Sequence, residues 1–147
     1  MIQTENRSTY DIVQDIFSAL VRQGGRCMSE EANVCAYERT NEDGTVSHCA
    51  AGWLIPEGKL KGEDLTRPIG ALVQDEVDLG PNEEWIADNV ELLQLCQRTH
   101  DESGAMRSAN ADLCDYLKDE YGFHKIPPAI ERWVKLREAQ IAAESAE

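Results

Sequence analysis

Long apolar runs are missing from this sequence, and no segment approaches the roughly 18 consecutive apolar residues that a membrane-spanning helix requires. The first ten residues contain no apolar core, so no secretory signal is recognisable. Basic residues are also scarce, since 14 Lys and Arg face 28 Asp and Glu and give a net charge of −14. Phosphate binding needs a basic surface, and an acidic membrane surface would repel this chain. We therefore expect no membrane partner and no direct nucleic-acid partner.

Closely spaced cysteine pairs are absent as well. The odd number of cysteines and the missing signal favour reduced thiols in a cytosol. The candidate zinc ligands are Cys27, Cys35 and Cys49 together with His48 or His100. Structural zinc sites, however, usually contain a pair such as C-x-x-C. We therefore predict no metal and no cofactor, and interpret the cysteines as small buried apolar residues. The five cysteines are Cys27, Cys35, Cys49, Cys96 and Cys114.

Catalytic patterns are equally weak. His48 precedes Cys49 on a predicted strand, where neighbouring side chains point to opposite faces, so this histidine is badly placed to activate the thiol. His100 and Asp101 fall at a predicted helix end, where a histidine complements the helix dipole. No glycine-rich nucleotide motif is present. We predict no catalytic residues, and a zinc- or cysteine-dependent enzyme remains an alternative.

The apolar residues that are present indicate one folded domain. The chain has 147 residues, of which 41% are hydrophobic, which suffices for one core. The prediction is a single domain over 1–147, with frayed ends at 1–8 and 142–147. Helical spacing and end signals predict about five helices, which begin after Ser8, at Pro68, at Asn82 (to about Arg98), at Ser108 (to Tyr121) and at Pro127-Pro128.

A β-hairpin is predicted between the first two helices. Asp43 and Gly44 are typical of a type I turn with a bulge. Pairing Asn41 with Thr45 would place Tyr37 opposite Cys49. The predicted fold class is α+β, predominantly α, with about five helices and one hairpin.

The hairpin region resembles a family of small uncharacterised proteins of tailed bacteriophages and prophages. In that family a hairpin ends in a Cys-Ala-x-Gly-x-Leu-Ile-Pro string, which is matched by the run from Cys49 to Pro56. The Leu93-Gln94 step, His100-Asp101 and Tyr121-Gly122 extend the resemblance, which covers roughly 25–122. Trp53 and Cys27 depart from the family pattern. The resemblance implies a phage origin and a host cytosol, and it implies no particular activity.

The most informative segment lies between Arg67 and Arg98, where no basic residue occurs. Glu84, Asp88 and Glu91 follow a spacing that would place them on one face of a continuous helix, where their repulsion costs a few tenths of a kcal/mol per pair. Such a surface can imitate nucleic-acid phosphates. The alternative is a solvated acidic face that only aids solubility. The predicted partner-binding residues are Asp75, Glu76, Asp78, Glu84, Asp88 and Glu91.

Together with the phage resemblance, this segment favours a small non-enzymatic protein that binds and inhibits a host protein with a basic surface. That protein could be an antiphage-defence or nucleic-acid-binding effector. The alternative is a binder of small ligands such as nucleotide signals, with a pocket near Tyr37, Arg39 and Trp53. The sequence does not indicate an oligomeric state.

Overall fold

A computed structural model describes residues 1–28, 36–102 and 106–145 of the chain. In these residues, six α-helices and one two-stranded antiparallel hairpin confirm the predicted fold class. No helix among them combines the length and the apolar character needed to cross a membrane. The helices are α1 Thr9–Gln23, α2 Ile69–Gln74, α3 Glu83–Asp88, α4 Val90–Asp101, α5 Met106–Tyr121 and α6 Pro128–Ser145. The strands are β1 Glu38–Thr40 and β2 Val46–His48, and 3₁₀ helices cover Ala51–Leu54 and Gly62–Thr66.

Helix α1 begins and ends where the sequence predicts. The Ser8 side chain accepts a hydrogen bond from the backbone N–H of Asp11 at 3.1 Å, which satisfies one of the unpaired donors of the first turn. Gly24 ends the helix in a left-handed conformation with φ 86°. The apolar face of α1, which includes Phe17, packs against α6. These two helices and the α4–α5 pair enclose the core around the fully buried Trp133.

The hairpin confirms the predicted register. Glu38 is paired with His48 and Thr40 with Val46, which is the alignment obtained by pairing Asn41 with Thr45. Gly44 has φ 86°, in the left-handed region that the turn requires. Cys35, which the same register would place opposite Ala51, lies outside the described residues.

The helix predicted from Asn82 to about Arg98 is instead two helices, and the reason lies at Asn89. In a continuous helix its backbone N–H would bond to the Trp85 carbonyl, but it bonds to Ile86 O at 3.1 Å. The Asn89 side-chain amide donates to the Trp85 carbonyl instead, at 2.8 Å. The Tyr121 hydroxyl donates to Asn89 Oδ1 at 2.6 Å. This local competition by a side chain separates α3 from α4.

The N-terminal segment, which we expected to be frayed, is held by Asn82. This buried side chain accepts hydrogen bonds from the Thr4 backbone at 3.1 Å and from the Thr4 hydroxyl at 2.8 Å. It donates to Ile2 O at 2.7 Å and to Leu54 O at 2.9 Å. A single amide side chain from a distant part of the chain therefore contacts Ile2 and Thr4, which no local sequence signal indicates.

Candidate functional site

The six acidic residues predicted to bind a partner fall into two groups. Asp75 forms an ion pair with Arg67, and Asp78 accepts a hydrogen bond from Lys59 Nζ at 2.9 Å, so these two charges are compensated. The remaining four are exposed and form no ion pair with any residue that the structure describes. They are Glu76, Glu84, Asp88 and Glu91.

The break at Asn89 changes the predicted stripe. Glu84 and Asp88 lie one turn apart on α3, whereas Glu91 lies in the first turn of α4, so the three do not follow one continuous helix. Glu91 instead approaches α5, where the Tyr116 hydroxyl lies 3.5 Å from Glu91 Oε2. Burial raises the pKa of Tyr116, and the negative charges of Glu91 and Glu120 raise it further. Glu120 is exposed one helical turn after Tyr116 on α5. We call Glu84, Asp88, Glu91 and Glu120 the acidic surface.

Half-buried aromatic side chains continue from the acidic surface. The rings of Tyr116 and Tyr121 meet edge to face with centroids 5.8 Å apart. Phe123 follows at 5.9 Å from Tyr121, and Tyr10 of α1 lies 5.4 Å from Phe123. These aromatic residues are not among the functional residues predicted from the sequence. The spacing of Tyr116 and Glu120, one helical turn apart on α5, was the local signal that could have drawn attention to them.

Glu76 occupies a backbone conformation that normally favours glycine. Its φ is 55°, and it follows the last turn of α2, where Val77 N bonds to Leu72 O at 3.0 Å and Glu76 N to Val73 O at 3.1 Å. This is a Schellman ending, in which the left-handed position is usually glycine. A carboxylate is therefore present where a glycine would strain the backbone less.

A cleft of about 490 Å³ lies between the start of α2 and the second half of α4. Its lining includes Tyr37, Arg67, Gln94, Gln97 and Arg98. The Tyr37 hydroxyl donates to Arg67 O at 2.6 Å. Arg98 donates through one guanidinium nitrogen to Asp112 at 2.5 Å. The cleft has the size of small-molecule sites, which span about 300–1,000 Å³.

This cleft is only partly the pocket that the sequence predicted. Tyr37 lines it as expected, but Trp53 lines a separate cavity of about 390 Å³ together with His48. Arg39 is not among the described lining residues of either space, and it donates to Met28 O at 3.3 Å. The hairpin therefore does not bring the three predicted residues into one pocket.

His48 is held in place by packing and by one carboxylate. Its Nε2 lies 3.0 Å from Glu57 Oε1, and its ring centroid lies 4.4 Å from that of Trp53. Neither His48 Nδ1 nor Trp53 Nε1 forms a hydrogen bond in the structure. The Cys49 sulfur lies 3.4 Å from the backbone N–H of Gly52. No hydrogen bond or ion pair links the His48 ring to this thiol.

His100 is a buried structural residue. Its Nε2 accepts a hydrogen bond from Cys27 N at 3.0 Å, and the other ring nitrogen, Nδ1, lies 2.7 Å from Asp101 Oδ1 and donates to it. The ring stacks on Trp133 with a centroid distance of 5.8 Å. Burial lowers the pKa of His100; Asp101 opposes the shift, and the charges of Arg26 and Arg137 add to it. The imidazole is therefore neutral near pH 7, and it does not supply the positive charge that we expected at this helix end.

The described cysteines are free thiols, and two of them are poor nucleophiles. Cys27, Cys49, Cys96 and Cys114 are free thiols, and Cys35 lies outside the described residues. Burial raises the pKa of Cys27 and of Cys96 to about 12, so both remain protonated at neutral pH and are poor nucleophiles. Within the described part of the chain, no three His, Cys, Asp or Glu side chains form a group that could hold a metal ion.

The comparisons with known proteins add no family to this geometry. No model of a protein family, no curated protein and no solved structure matches the chain.

Proposed function

We propose that the protein binds another protein through the acidic surface and that this partner presents a basic surface. The observation that carries the proposal is the separation of charges. Carboxylates of the acidic surface form no ion pair within the described residues, while several arginines elsewhere are paired with acids, as Arg107 is with Glu131 at 3.1 Å and Glu138 at 2.7 Å. A field of one sign speeds encounter with a partner of the opposite sign.

The aromatic row next to the acidic surface supports the same proposal. Tyrosine is enriched in protein interfaces because its ring offers apolar area and its hydroxyl offers a hydrogen bond. Tyr116 and Tyr121 are half-buried in the free protein, so each retains area that a partner can cover. An arginine or lysine of the partner could contact both a carboxylate and a tyrosine ring.

Glu76 gives a further argument. A non-glycine residue in the left-handed region costs stability, so glycine would serve the α2 ending better. Glu76 lies outside the acidic surface as defined above, and its strained position supports a contact of its own with the partner, as the sequence predicts for this residue. In line with the phage resemblance, we extend the proposal to a host-cell partner that is inhibited because its basic surface is covered.

The test is capture from a bacterial lysate followed by binding kinetics with the purified partner. The variant Glu84→Gln/Asp88→Gln/Glu91→Gln removes charge from the acidic surface. Its matched control, Glu5→Gln/Glu42→Gln/Glu63→Gln, removes the same charge from exposed positions elsewhere. We expect slower association and a weaker salt dependence for the first variant, and wild-type kinetics for the control.

Two results would contradict the proposal. One is a captured partner that binds the acidic-surface variant and its control at the same rate. The other is a partner whose own activity is unchanged when it is saturated with the wild-type protein, which would remove inhibition and leave binding.

A second candidate function is small-ligand binding in the cleft, and the observation that favours it is the pair of arginines there. In a chain with a net charge of −14, Arg67 and Arg98 both line one space beside two glutamine amides. Gln94→Trp would fill the cleft from its exposed side. A ligand that native mass spectrometry detects on the wild-type protein and not on this variant would support the candidate; equal loading of both would reject it.

A further inference from the structure

Two arginines that ion-pair with no described residue line a second cavity, near the end of α4. The cavity has a volume of about 440 Å³, and its lining includes Arg26, Met28, Arg137, Gln140, Ala143 and Glu144. We call it the arginine cavity. It lies outside the acidic surface and the cleft, so its role is independent of both functions proposed above.

Arg137 is a buried cation with neutral partners. The residue is only 2% exposed. One guanidinium nitrogen donates to Gln140 Oε1 at 2.6 Å and another to Glu102 O at 3.3 Å, while Nε makes no hydrogen bond. Buried charges in proteins are normally paired, because removing an ion from water costs several kcal/mol. Arg137 has no such pair in the described residues.

Arg26 adds a second positive charge to the same place. It donates to Asp101 O at 2.9 Å and forms no ion pair within the described residues. Burial lowers the pKa of Arg137, and the charge of Arg26 lowers it further, whereas the Glu144 carboxylate has the opposite effect. The two guanidiniums therefore repel each other in a chain that has twice as many acidic as basic residues.

Helix capping explains part of this arrangement. Asp101 O and Glu102 O lie at the C-terminal end of α4, where the helix dipole is negative and cations are favourable. Capping uses one donor of each arginine. It does not account for Arg137 Nε, which has no hydrogen bond among the described residues, or for the lack of an ion pair to either guanidinium there.

We propose that the arginine cavity binds the oxyanion of a small organic molecule, either a phosphate ester or a carboxylate. Guanidinium groups match both oxyanions because their N–H donors form a planar fork. Arg26 and Arg137 would donate to the oxyanion, and Met28 and Ala143 would contact the apolar part of the ligand. Glu144 is the one carboxylate among the described lining residues, and its negative charge, which acts on Arg137, would repel an anionic ligand.

Heteronuclear NMR of the wild-type protein gives the first test. The Nε–H resonance of Arg137 is followed during titration with inorganic phosphate, glycerol 3-phosphate and butyrate at constant ionic strength. The proposal expects a saturable shift with at least one of these probes. A response to the phosphates alone assigns a phosphate ester, and a response to butyrate alone assigns a carboxylate. No saturable shift with any of the three overturns the proposal.

Variants give the second test, with affinity read from the ligand-induced rise in melting temperature. Arg26→Gln should weaken binding by about tenfold or more, because one charged donor is lost. Arg22→Gln is the matched control: it removes an exposed arginine of α1 and should bind as the wild type does. Glu144→Gln should bind more tightly, because the repelling charge is gone. Equal affinity of Arg26→Gln and Arg22→Gln would leave helix capping as the whole role of Arg26 and would overturn the proposal.

Discussion

The acidic surface and the arginine cavity both hold like charges without opposite partners, yet they differ in exposure. Glu84 and Asp88 are exposed, so water solvates them and their repulsion costs a few tenths of a kcal/mol. Arg137 is 2% exposed, and within the described part of the chain its guanidinium donates only to a backbone carbonyl and an amide oxygen. Uncompensated like charges therefore destabilise the protein little on the surface and much more in the interior. Substitutions in the two regions should therefore differ in size.

The largest change in stability is expected at a tight backbone contact outside both regions. A Cβ atom on Gly52 would lie 2.0 Å from the Tyr37 carbonyl oxygen, and backbone atoms cannot move aside as a flexible side chain can. We expect Gly52→Ala to lower the free energy of unfolding by about 3 kcal/mol, measured by urea denaturation. Gly25→Ala is the control, since its Cβ would meet the nearest atom at an ordinary 3.7 Å. Similar values for both variants would contradict this packing.

Arg137→Ala tests the buried side of the comparison. The change relieves the cost of a buried unpaired charge, but it also removes two hydrogen bonds and a buried aliphatic stem. We expect the second effect to be larger, with a net loss of about 2 kcal/mol in the free energy of unfolding. Arg132→Ala, at an exposed position of the same helix, should change stability by less than about 0.5 kcal/mol. If the two variants prove equally stable, burial of the guanidinium does not distinguish the regions.

The pH dependence of stability sharpens the comparison, because His100 lies beside the two arginines of the cavity. Its pKa is lowered in the folded protein, so the unfolded chain binds a proton more readily as the pH falls below about 6.5. Stability should therefore be fully present above that pH and should decline below it, by at most about 1.4 kcal/mol per pH unit. His100→Gln should flatten the decline, and exposed His124→Gln should preserve it. Parallel profiles for all three proteins would rule out His100 as the cause.

The smallest effect is expected on the acidic surface. Glu84→Gln/Asp88→Gln/Glu91→Gln should raise the free energy of unfolding by a few tenths of a kcal/mol, because repulsion is removed. The gain should shrink in high salt, which screens exposed charges. A loss of more than about 1 kcal/mol would mean that these carboxylates have a structural role, against the comparison.

Local signals predicted the elements whose ends are set by neighbours in sequence. Ser8 and Gly24 delimit α1, and Gly44 fixes the turn and with it the hairpin register. The division of α3 from α4 was not predictable in this way. Asn89 is held by Tyr121, a residue 32 positions further along the chain, and no helical periodicity reports such a contact.

The candidate sites show the same limit. The acidic segment was visible in the sequence, but the pairing of Asp75 and Asp78 with cations depended on how the chain folds. The sequence does contain a pattern that indicates a buried Arg137. This arginine follows Ile130, Trp133 and Val134 at helical spacing, which places a charge within the apolar face of α6. Its neighbour Arg26 comes just after α1, far from Arg137 in the sequence, and no local pattern links the two.

The hydrogen bonds of Asn82 have a consequence for the order of folding. Thr4 and Asn82 are 78 residues apart, so their contact closes a long loop and its entropic cost must be met before the bonds form. The buried amide also needs Leu54 O from a third part of the chain. Its hydrogen bonds can therefore be completed only when the 3₁₀ helix Ala51–Leu54 has docked beside α3. The first residues of the chain should join last during refolding, and the amide hydrogen of Thr4 should become exchangeable as soon as that docking is undone.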